Sequence, residues 1–529
     1  MAMRDTEAGW RERVARPLRR PFPRLTAAAL AGAVLSLTLP PFDVLPAIAA
    51  YSVLAALGTV VDDGAALGAR LRRRALLGAA FGFGYHLAGL WWIGAAFLVD
   101  ADRYAVLLPL AVVGLPLLLA PFHALAVALA GLAPPGFASR TVSLAGTLAL
   151  TEWLRGILFT GFPWNVPAVQ LSSSLPLAQG GAVAGVAGLA PLAVMLGTVP
   201  ALLLARRVVS AGLILVLTAG VWVYGAARLT DEAVPMEGGR LRLVQPSIPQ
   251  REKWEPEARA RIWATLLGLT EAPGEDGTRP DLVIWPETAM PFVYRTPSAA
   301  QYDIAGALGP GRTLVAGAIT LEQTAEGQRA TNSILVIDDA GTIVEQYDKA
   351  HLVPFGEYVP FSAVLSRIGL GALAAGENQF SAGRVRDVLN LPGLPAARPL
   401  ICYEAIFYQG RRNPGAKWVL NVTNDAWFGD TPGPYQHLRH VVLRSIEEGL
   451  STVRVANTGI SGIVDPYGRF NYEISLNSMD FRDGILHEPV ATFFAQFGHA
   501  LFTCSMALLL AWVVFGAVSA RSGLFRAPK

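Results

Sequence analysis

The chain has 529 residues, about twice what one ordinary soluble domain fills, so more than one structural unit is expected. Hydrophobic residues make up 53% of the chain and charged residues only 16%, which excludes a disordered chain and argues against a purely soluble one. The formal net charge of +3 says little about partners, and no nucleic acid partner is expected.

Long apolar blocks dominate the first 226 residues. Most have about the 20 residues that a membrane-crossing helix needs, and their number makes buried helices of a large soluble protein improbable. The first block is broken by the turn-forming sequence Leu39-Pro40-Pro41-Phe42-Asp43, which predicts two spans joined by a tight turn. The sequence therefore predicts an integral membrane protein with about eight spans, in residues 25–61 (two spans), 75–99, 105–132, 142–160, 175–205, 208–226 and 491–518.

The arginines between these blocks predict the orientation of the spans. One set of loops is rich in arginine, whereas the opposite short loops, near Pro40, Arg103 and Ser172, hold only Arg103. Since positively charged loops stay in the cytoplasm, both termini are expected there. The arginine-rich set consists of Arg4, Arg11, Arg13, Arg16, Arg19, Arg20, Arg24, Arg70, Arg72, Arg73, Arg74, Arg140, Arg206, Arg207, Arg521 and Arg526.

Between the seventh and eighth blocks the composition changes to that of a soluble α/β domain, which the same orientation places outside the cytoplasm. Short apolar runs predict strands at 241–244, 281–285, 313–316, 333–337, 399–402, 418–422 and 453–457. Turn sequences at 338–341 and 465–468 predict hairpins, and helical patterns lie at 257–267 and 435–448. Strands with intervening helices favour sheets covered by helices.

The predicted domain organisation follows from these boundaries. It comprises a cytoplasmic N-terminus (1–24), a seven-span membrane domain (25–226), an extracytoplasmic catalytic domain (227–490), a final span (491–518) and a cytoplasmic tail (519–529).

Three residues of the outer domain are candidates for chemistry. Cys402 is the only cysteine there and closes an apolar strand, although a lone thiol is often a small core residue. Glu287 directly follows the run Leu282-Val-Ile-Trp-Pro, where partial burial favours a general base; a solvated loop glutamate is the alternative. Lys349 lies in a segment shaped by prolines and glycine and suits stabilisation of an oxyanion, unless it is an exposed surface lysine.

The segments around these three residues resemble the Glu-Lys-Cys triad of the carbon-nitrogen hydrolase (nitrilase) superfamily. The matching motifs are WPET with Glu287, YDKAHLVPFGEYVP with Lys349 and ICYE with Cys402. A catalytic domain enclosed by seven spans and an eighth is similar to one branch of this superfamily, the apolipoprotein N-acyltransferases. Further motifs extend the resemblance over nearly the whole chain: 152–156, 161–165, 246–254, 424–429 and 456–462. The resemblance implies a nitrilase-like αββα sandwich beside the helical membrane bundle.

The resemblance also implies a reaction and its partners. Cys402 would take an acyl chain from a membrane phospholipid as a thioester and pass it to the N-terminal amine of a diacylated apolipoprotein. Glu287 would be the general base and Lys349 would stabilise the tetrahedral intermediates. By the same resemblance Glu357 supports the lysine, Tyr403 and Glu404 flank the nucleophile, and Trp254 lies near the substrate entrance. The enzyme is expected in the bacterial inner membrane, with its catalytic domain on the periplasmic side, as a monomer without cofactor or metal.

Two local features invite expectations of their own. The apolar segment 361–373 is punctuated by glycines, and we expect a mobile flap that admits acyl chains, with an ordinary surface helix as the alternative. Glu152 and Arg155 lie three residues apart in an apolar block, so we expect them to pair or to face water.

Two other functions remain open at this level. A membrane-tethered amidase would use the same triad with water as the second substrate, although eight spans exceed what tethering needs. A non-enzymatic lipid-binding or transport protein would have more charged or helix-breaking positions inside the spans than this chain has.

Overall fold

The computed structural model describes residues 18, 20–62, 66–134, 136–274, 277, 279–324, 327–360, 367, 380–408, 410 and 412–522. Its helices are α1 (Pro21–Leu35), α2 (Ala50–Asp62), α3 (Leu67–Leu90), α4 (Ala101–Tyr104), α5 (Leu108–Ala130), α6 (Phe137–Arg155), α7 (Leu175–Ala178), α8 (Gly181–Leu204), α9 (Val208–Arg228), α10 (Arg259–Glu271), α11 (Ala299–Leu308), α12 (Pro432–Glu448), α13 (Phe493–Phe497) and α14 (Ala500–Ser522). Its strands are β1 (Pro235–Gln245), β2 (Leu282–Ile284), β3 (Thr313–Thr324), β4 (Gly327–Ile337), β5 (Ile343–Asp348), β6 (Leu389–Leu391), β7 (Leu394–Ile401), β8 (Trp418–Thr423), β9 (Ser451–Ala456), β10 (Ser461–Val464), β11 (Phe470–Ile474) and β12 (Asp480–His487).

The chain divides into two compact units. One comprises Met1–Thr230 with Gln496–Lys529, and its described elements are helical; the other comprises Asp231–Ala495 and contains all twelve strands of the described residues.

The helical unit contains the expected apolar helices. Four helical stretches among the described residues are long and apolar enough to cross a membrane: Leu67–Leu98, Ala101–Ala130, Gly181–Leu204 and Val208–Arg228. Two shorter apolar helices, Leu45–Val61 and Ala500–Gly516, coincide with two further predicted spans. The remaining two predicted spans lie on α1, which has only 15 residues, and on α6, which carries charged residues. A membrane-embedded helical part is thus confirmed, while the number of eight spans stays a prediction.

The charged residues of α6 form a buried ion pair, one of the two arrangements expected. Glu152 and Arg155 are each 1% exposed, and the Arg155 Nε lies 3.1 Å from a Glu152 carboxylate oxygen. Arg155 also donates hydrogen bonds to the backbone carbonyls of Phe162 and Trp164, in the segment after α6. One helix and its following loop therefore satisfy both charges.

The second unit is a sandwich of two six-stranded sheets with the strand orders β12-β1-β2-β3-β4-β5 and β11-β10-β9-β8-β7-β6. In each sheet three neighbouring strands are parallel, β1-β2-β3 and β7-β8-β9, and the strands on either side are antiparallel. The predicted hairpins are confirmed, because turns 338–341 and 465–468 join β4 to β5 and β10 to β11.

Side-chain alternation along the strands builds the layers. On β2, Leu282 and Ile284 pack between the two sheets, whereas Val283 packs outward in a cluster that includes Ile262 of α10. In the second sheet, Val419 of β8 packs outward in the cluster of α12 residue Val441. Successive residues of a strand point to opposite faces, so a strand that is apolar throughout fills both layers. The predicted αββα sandwich is confirmed.

The buried ion pair of α6 leads to a prediction about stability. We expect Arg155→Met to destabilise the protein by about 3–5 kcal/mol, because it leaves the Glu152 carboxylate buried and unpaired. The double variant Glu152→Gln with Arg155→Met removes both charges and is expected to be more stable than Arg155→Met alone. The midpoint of thermal unfolding in detergent tests both, and equal midpoints for wild type and Arg155→Met would contradict the prediction.

Candidate active site

The predicted triad residues all lie at strand ends in the sandwich unit. Glu287 follows β2, Lys349 follows β5, and Cys402 follows β7. The carboxyl ends of parallel strands are where α/β sheets commonly place their sites, because loops leave the rigid sheet there. All three residues are buried, with exposures of 6%, 1% and 8% in this order. The structure thus brings these three residues of the sequence prediction into one region.

Lys349 is the centre of a buried ionic cluster. Its Nζ donates a hydrogen bond to Glu357 Oε1 at 2.9 Å and lies 3.4 Å from Glu287 Oε1. Burial lowers the pKa of Lys349, but the Glu357 and Glu287 carboxylates outweigh this effect and hold that pKa above its usual value. For Glu357, burial raises the pKa, yet the Lys349 charge and several hydrogen bonds bring it below its usual value. The lysine therefore stays charged, and it ties two acidic side chains together.

Asn332 completes this cluster, although no local sequence signal predicts its role. Its Nδ2 donates to Glu287 Oε1 at 2.7 Å and to Glu357 Oε1 at 3.0 Å. The backbone N–H of Lys349 in turn donates to the Asn332 carbonyl at 2.8 Å. Because Asn332 lies within β4 and Lys349 follows β5, only the pairing of these strands reveals the contact.

Cys402 has a backbone conformation that is unusual for a residue with a side chain. Its φ is +49°, at the point where β7 ends and the short 3-10 helix Cys402–Ile406 begins. Such a conformation persists only where its surroundings enforce it, and it occurs often at active sites. Here the His437 Nε2 lies 3.1 Å from the Cys402 carbonyl oxygen, to which it donates. The sharp turn projects the thiol from the end of the strand.

The environment of Cys402 keeps its thiol protonated at rest. Burial raises the pKa of the thiol, and the nearby Glu287 carboxylate raises it further. Lys349 and a hydrogen bond with Thr423 act in the opposite direction but do not outweigh burial. Since only a thiolate is a strong nucleophile, this site needs a base to take the thiol proton during reaction.

Glu404 is hydrogen-bonded to the backbone of two segments, one next to Lys349 and one next to Cys402. Its carboxylate accepts hydrogen bonds from the backbone N–H groups of Ala350, His351 and Ile401 at 2.7–3.0 Å and from the Tyr347 hydroxyl at 2.9 Å. Burial raises the pKa of Glu404 despite these bonds, whereas for Tyr347 burial and the Glu404 carboxylate both raise the pKa. Glu404 thus joins the segment that carries Lys349 to the strand that carries Cys402.

Tyr403 and Trp254 occupy different positions from Glu404. The Tyr403 ring is 7% exposed and packs edge-to-face on Phe407, with ring centroids 4.9 Å apart. Trp254 is 46% exposed, so half of its ring is open to solvent, whereas the preceding residue Lys253 is only 2% exposed. The structure therefore places the buried Tyr403 directly after Cys402 in the chain and leaves Trp254 at the surface.

Lys253 is a second buried lysine in this region. Unlike Lys349, it was not predicted from the sequence. Its Nζ donates to the Thr288 hydroxyl at 2.6 Å and to the Glu287 carbonyl oxygen at 3.2 Å. Burial lowers the pKa of Lys253 to about 8, although the Glu287 and Cys402 charges oppose this shift. It follows that Lys253 lies within electrostatic reach of both reactive groups.

A third missed group lies behind Cys402. Asp425 accepts from Arg454 and lies 2.9 Å from His437 Nδ1. Burial raises the pKa of Asp425, but Arg454 and His437 outweigh it and bring that pKa to about 2. All three side chains are buried, and His437 links them to the Cys402 carbonyl. Sequence spacing carries no signal for this group, because its members come from three separate elements.

Two clusters of described residues bring metal-binding atoms within 4.8 Å of one another, His86–His123–Glu152 and Cys402–Asp425–His437. In each cluster an arginine, Arg155 or Arg454, already neutralises the carboxylate. The expectation of a metal-free site stays a prediction.

The expected flap at 361–373 lies outside the described residues, apart from Arg367.

Comparisons with known proteins agree with both units. The family model described as the apolipoprotein N-acyltransferase N-terminal domain matches residues 31–199, and the carbon-nitrogen hydrolase model matches residues 240–481. The chain is 43% identical over 489 residues to an apolipoprotein N-acyltransferase of Brucella melitensis, covering 89% of this chain and 91% of that protein. It is 41% identical over 512 residues to one from Rhodopseudomonas palustris, covering 93% and 95%. Among solved structures, a CN-hydrolase superfamily protein from Xanthomonas campestris matches 52% of this chain and 96% of its own, with 20% identity and a TM-score of 0.33.

Close backbone packing beneath Glu287 gives a prediction about activity. A Cβ at Gly317 would lie 2.3 Å from the Pro286 carbonyl oxygen and 2.5 Å from the Glu287 Cα, so Gly317→Ala must displace this segment. A displacement of about 1 Å lowers catalytic rates by about 100-fold, and we expect a loss of acyltransferase activity on that scale. Gly306→Ala is the matched control, because nothing lies within 4 Å of its added Cβ. Equal activity of both variants would contradict this expectation.

The bonds to Glu404 give a second prediction. We expect Glu404→Gln to destabilise the outer domain by about 1–3 kcal/mol or more, because the new amide N–H₂ faces N–H donors and leaves them unpaired. Tyr347→Phe removes one hydroxyl donor and leaves the three backbone bonds intact, so it is expected to cost less. Denaturant unfolding of the two variants measures the difference, and a Tyr347→Phe variant less stable than Glu404→Gln would reverse the expected order.

Proposed function

Because the chain belongs to the apolipoprotein N-acyltransferase family and is an acyltransferase that N-acylates lipoproteins, we propose that Cys402 carries the acyl chain as a thioester between a phospholipid donor and the lipoprotein amine. The observation that supports this proposal best is the position of the Cys402 thiol, buried and protonated, beside the Glu287 carboxylate and the Lys349 ammonium. Nucleophilic acyl transfer needs these three components: a nucleophile, a base and a cation that stabilises the oxyanion.

The first half-reaction acylates the enzyme. Glu287 takes the thiol proton while the Cys402 sulfur attacks the carbonyl carbon of a phospholipid ester. The carbonyl oxygen becomes an oxyanion, which accepts a hydrogen bond from Lys349. An ammonium group has three donors, and the Glu357 and Glu287 carboxylates engage two of them, which leaves one for this purpose. When the intermediate collapses, the ester C–O bond breaks, Glu287 returns the proton to the departing oxygen, and a lysophospholipid leaves.

The second half-reaction transfers the acyl chain. The neutral N-terminal amine of the diacylglyceryl-cysteine attacks the thioester carbonyl and forms a second oxyanion at the same Lys349 position. Glu287 accepts the amine proton, the C–S bond breaks, and the proton passes to sulfur to regenerate the Cys402 thiol. The products are an amide on the lipoprotein and the free enzyme, so the reaction is a ping-pong sequence.

Four neighbouring residues support this chemistry. Glu357 holds Lys349 by the ion pair at 2.9 Å and keeps it charged. Glu404 accepts hydrogen bonds from the backbone of the Lys349 segment and from Ile401, which precedes Cys402, and Tyr403 forms part of the adjoining wall. Trp254 presents a half-exposed ring at the surface, which suits contact with an incoming lipid chain. None of the four is required to gain or lose a proton.

The setting of the reaction forms part of the proposal. Donor and acceptor are both anchored in lipid, so a membrane-embedded enzyme confines their search to two dimensions. We place the enzyme in the bacterial inner membrane as a monomer, with 227–490 on the periplasmic side between the spans of 25–226 and 491–518. The tails 1–24 and 519–529 then lie in the cytoplasm, in accord with the arginine distribution. The apolar segment 361–373 is suited to admit acyl chains.

Intact-protein mass spectrometry tests the thioester. Wild type and Cys402→Ala are incubated with phospholipid and without acceptor, and we expect an acyl-sized mass increase in wild type only. A diacylated lipopeptide added afterwards should remove the acyl group from the enzyme, and the mass of the lipopeptide should rise by the same amount. No adduct on a folded, lipid-supplied wild type, together with turnover of a small amide in the absence of lipid, would favour a tethered amidase instead.

A further inference from the structure

Lys253 combines complete burial with direct contact to the loop that carries Glu287. Its side chain is 2% exposed, and its ammonium donates to the Glu287 carbonyl oxygen at 3.2 Å and to the Thr288 hydroxyl at 2.6 Å. A buried ammonium is costly unless it is hydrogen-bonded, so a lysine held here has a specific set of partners. Both of its partners belong to the residues that follow β2.

The loop that Lys253 contacts is strained. Thr288 has a φ of +45°, which is a left-handed conformation that a β-branched residue adopts at a cost. The same loop lies against Gly317 of β3, where there is no room even for a Cβ, and the Ala289 N–H donates to the Gly317 carbonyl at 2.8 Å. The loop is therefore fixed from one side by β3 and from another by Lys253.

We propose that Lys253 is a positioning residue of the acyl transfer: it clamps the Glu287–Thr288 segment so that the Glu287 carboxylate faces Cys402, and it holds a positive charge against the Glu287 backbone, within electrostatic reach of the reacting thiol. This inference rests on the proposed function and adds a role that the Glu287, Lys349 and Cys402 triad does not include. Lys253 acts through Glu287 and Thr288 and through its electric field, without contacting the acyl chain.

The charge of Lys253 gives the clamp a pH dependence. The titratable groups that act on it are the Glu287 carboxylate and the Cys402 thiol. Since burial lowers the pKa of Lys253 to about 8, its ammonium is largely present at pH 7 and is lost as the pH rises through 8. An ammonium beside Cys402 favours the thiolate, so removal of this charge raises the pKa of the thiol.

Alkylation of Cys402 tests the charge without any lipid substrate. The rate of reaction with iodoacetamide is measured against pH for the full chain in detergent, with Cys504→Ala as the common background. We expect Lys253→Met to shift the alkylation profile up by about one pH unit, which is about a tenfold lower rate at pH 7. Lys253→Arg keeps a charge and donors and should restore most of the rate. Lys417→Met is the matched control, since Lys417 is exposed, and should leave the profile unchanged.

Thr288→Val tests the clamp separately from the charge. It removes the hydroxyl that Lys253 binds but keeps the ammonium, so acyl transfer should slow while the alkylation profile stays in place. If Lys253 and Thr288 act as one clamp, the double variant Lys253→Met with Thr288→Val should lose less than the product of the two single losses.

Opposite results overturn the inference. An alkylation profile of Lys253→Met that coincides with wild type would exclude the charge effect, and full acyl transfer by Thr288→Val would exclude the clamp. If Lys253→Met does not fold, the Thr288→Val result still decides about the clamp, and Lys253→Gln decides about the charge, because glutamine keeps N–H donors but carries no charge. Failure of the proposed function would give a different result. The wild type would then form no acyl adduct with phospholipid, while the alkylation profiles of the variants would stay as expected here.

Discussion

The burial of one ammonium between two carboxylates is the constraint on which the outer domain depends. Lys349 and Glu287 are buried and the Glu357 side chain is only 12% exposed, and this loss of water costs free energy that their mutual attraction returns only if the geometry is good. Asn332 improves that geometry by donating to both carboxylates. The pairing of β4 with β5 brings Asn332 beside Lys349. The register of this hairpin therefore determines which side chain lies between the charged groups of the site. A shift of that register by one residue would turn Asn332 to the other face of the sheet.

The same burial also determines the reactivity of the Cys402 thiol. A Cys402 thiol that is protonated at rest resists oxidation, since the thiolate is the reactive form. A dry site also favours transfer over hydrolysis, because an amine attacks a thioester more readily than water does. The strained φ of Cys402 and the His437 bond behind it hold the sulfur in one place. Burial thus slows oxidation and hydrolysis at Cys402. In the proposed acyl transfer, the thiol reacts only when Glu287 takes its proton.

The sequence predicted those parts of the fold and site that local signals encode. Strand ends are marked by the change from apolar to polar residues, which is why Glu287, Lys349 and Cys402 could be chosen. The hairpin turns at 338–341 and 465–468 are marked by Asp and Gly. Contacts between distant segments carry no such mark: Lys253 reaches Glu287, and Arg454 reaches Asp425, only after the strands have assembled. The charged residues of α6, Glu152 and Arg155 among them, lower its hydropathy, so the span predicted there is not among the four described helical stretches that are long and apolar enough to cross a membrane.

That ion pair has a consequence for how the protein is made. A helix that enters a membrane with one lone charge is expensive to insert, and its insertion commonly waits for a partner helix. Glu152 and Arg155 are one helical turn apart, and the other acceptors of Arg155 are the Phe162 and Trp164 carbonyls, which the ribosome adds within the next nine residues. The segment therefore carries its own counter-charge when it leaves the ribosome. In the span that the sequence predicts on α6, this pair can therefore enter the bilayer with its two charges neutralised, before the later helices have been synthesised.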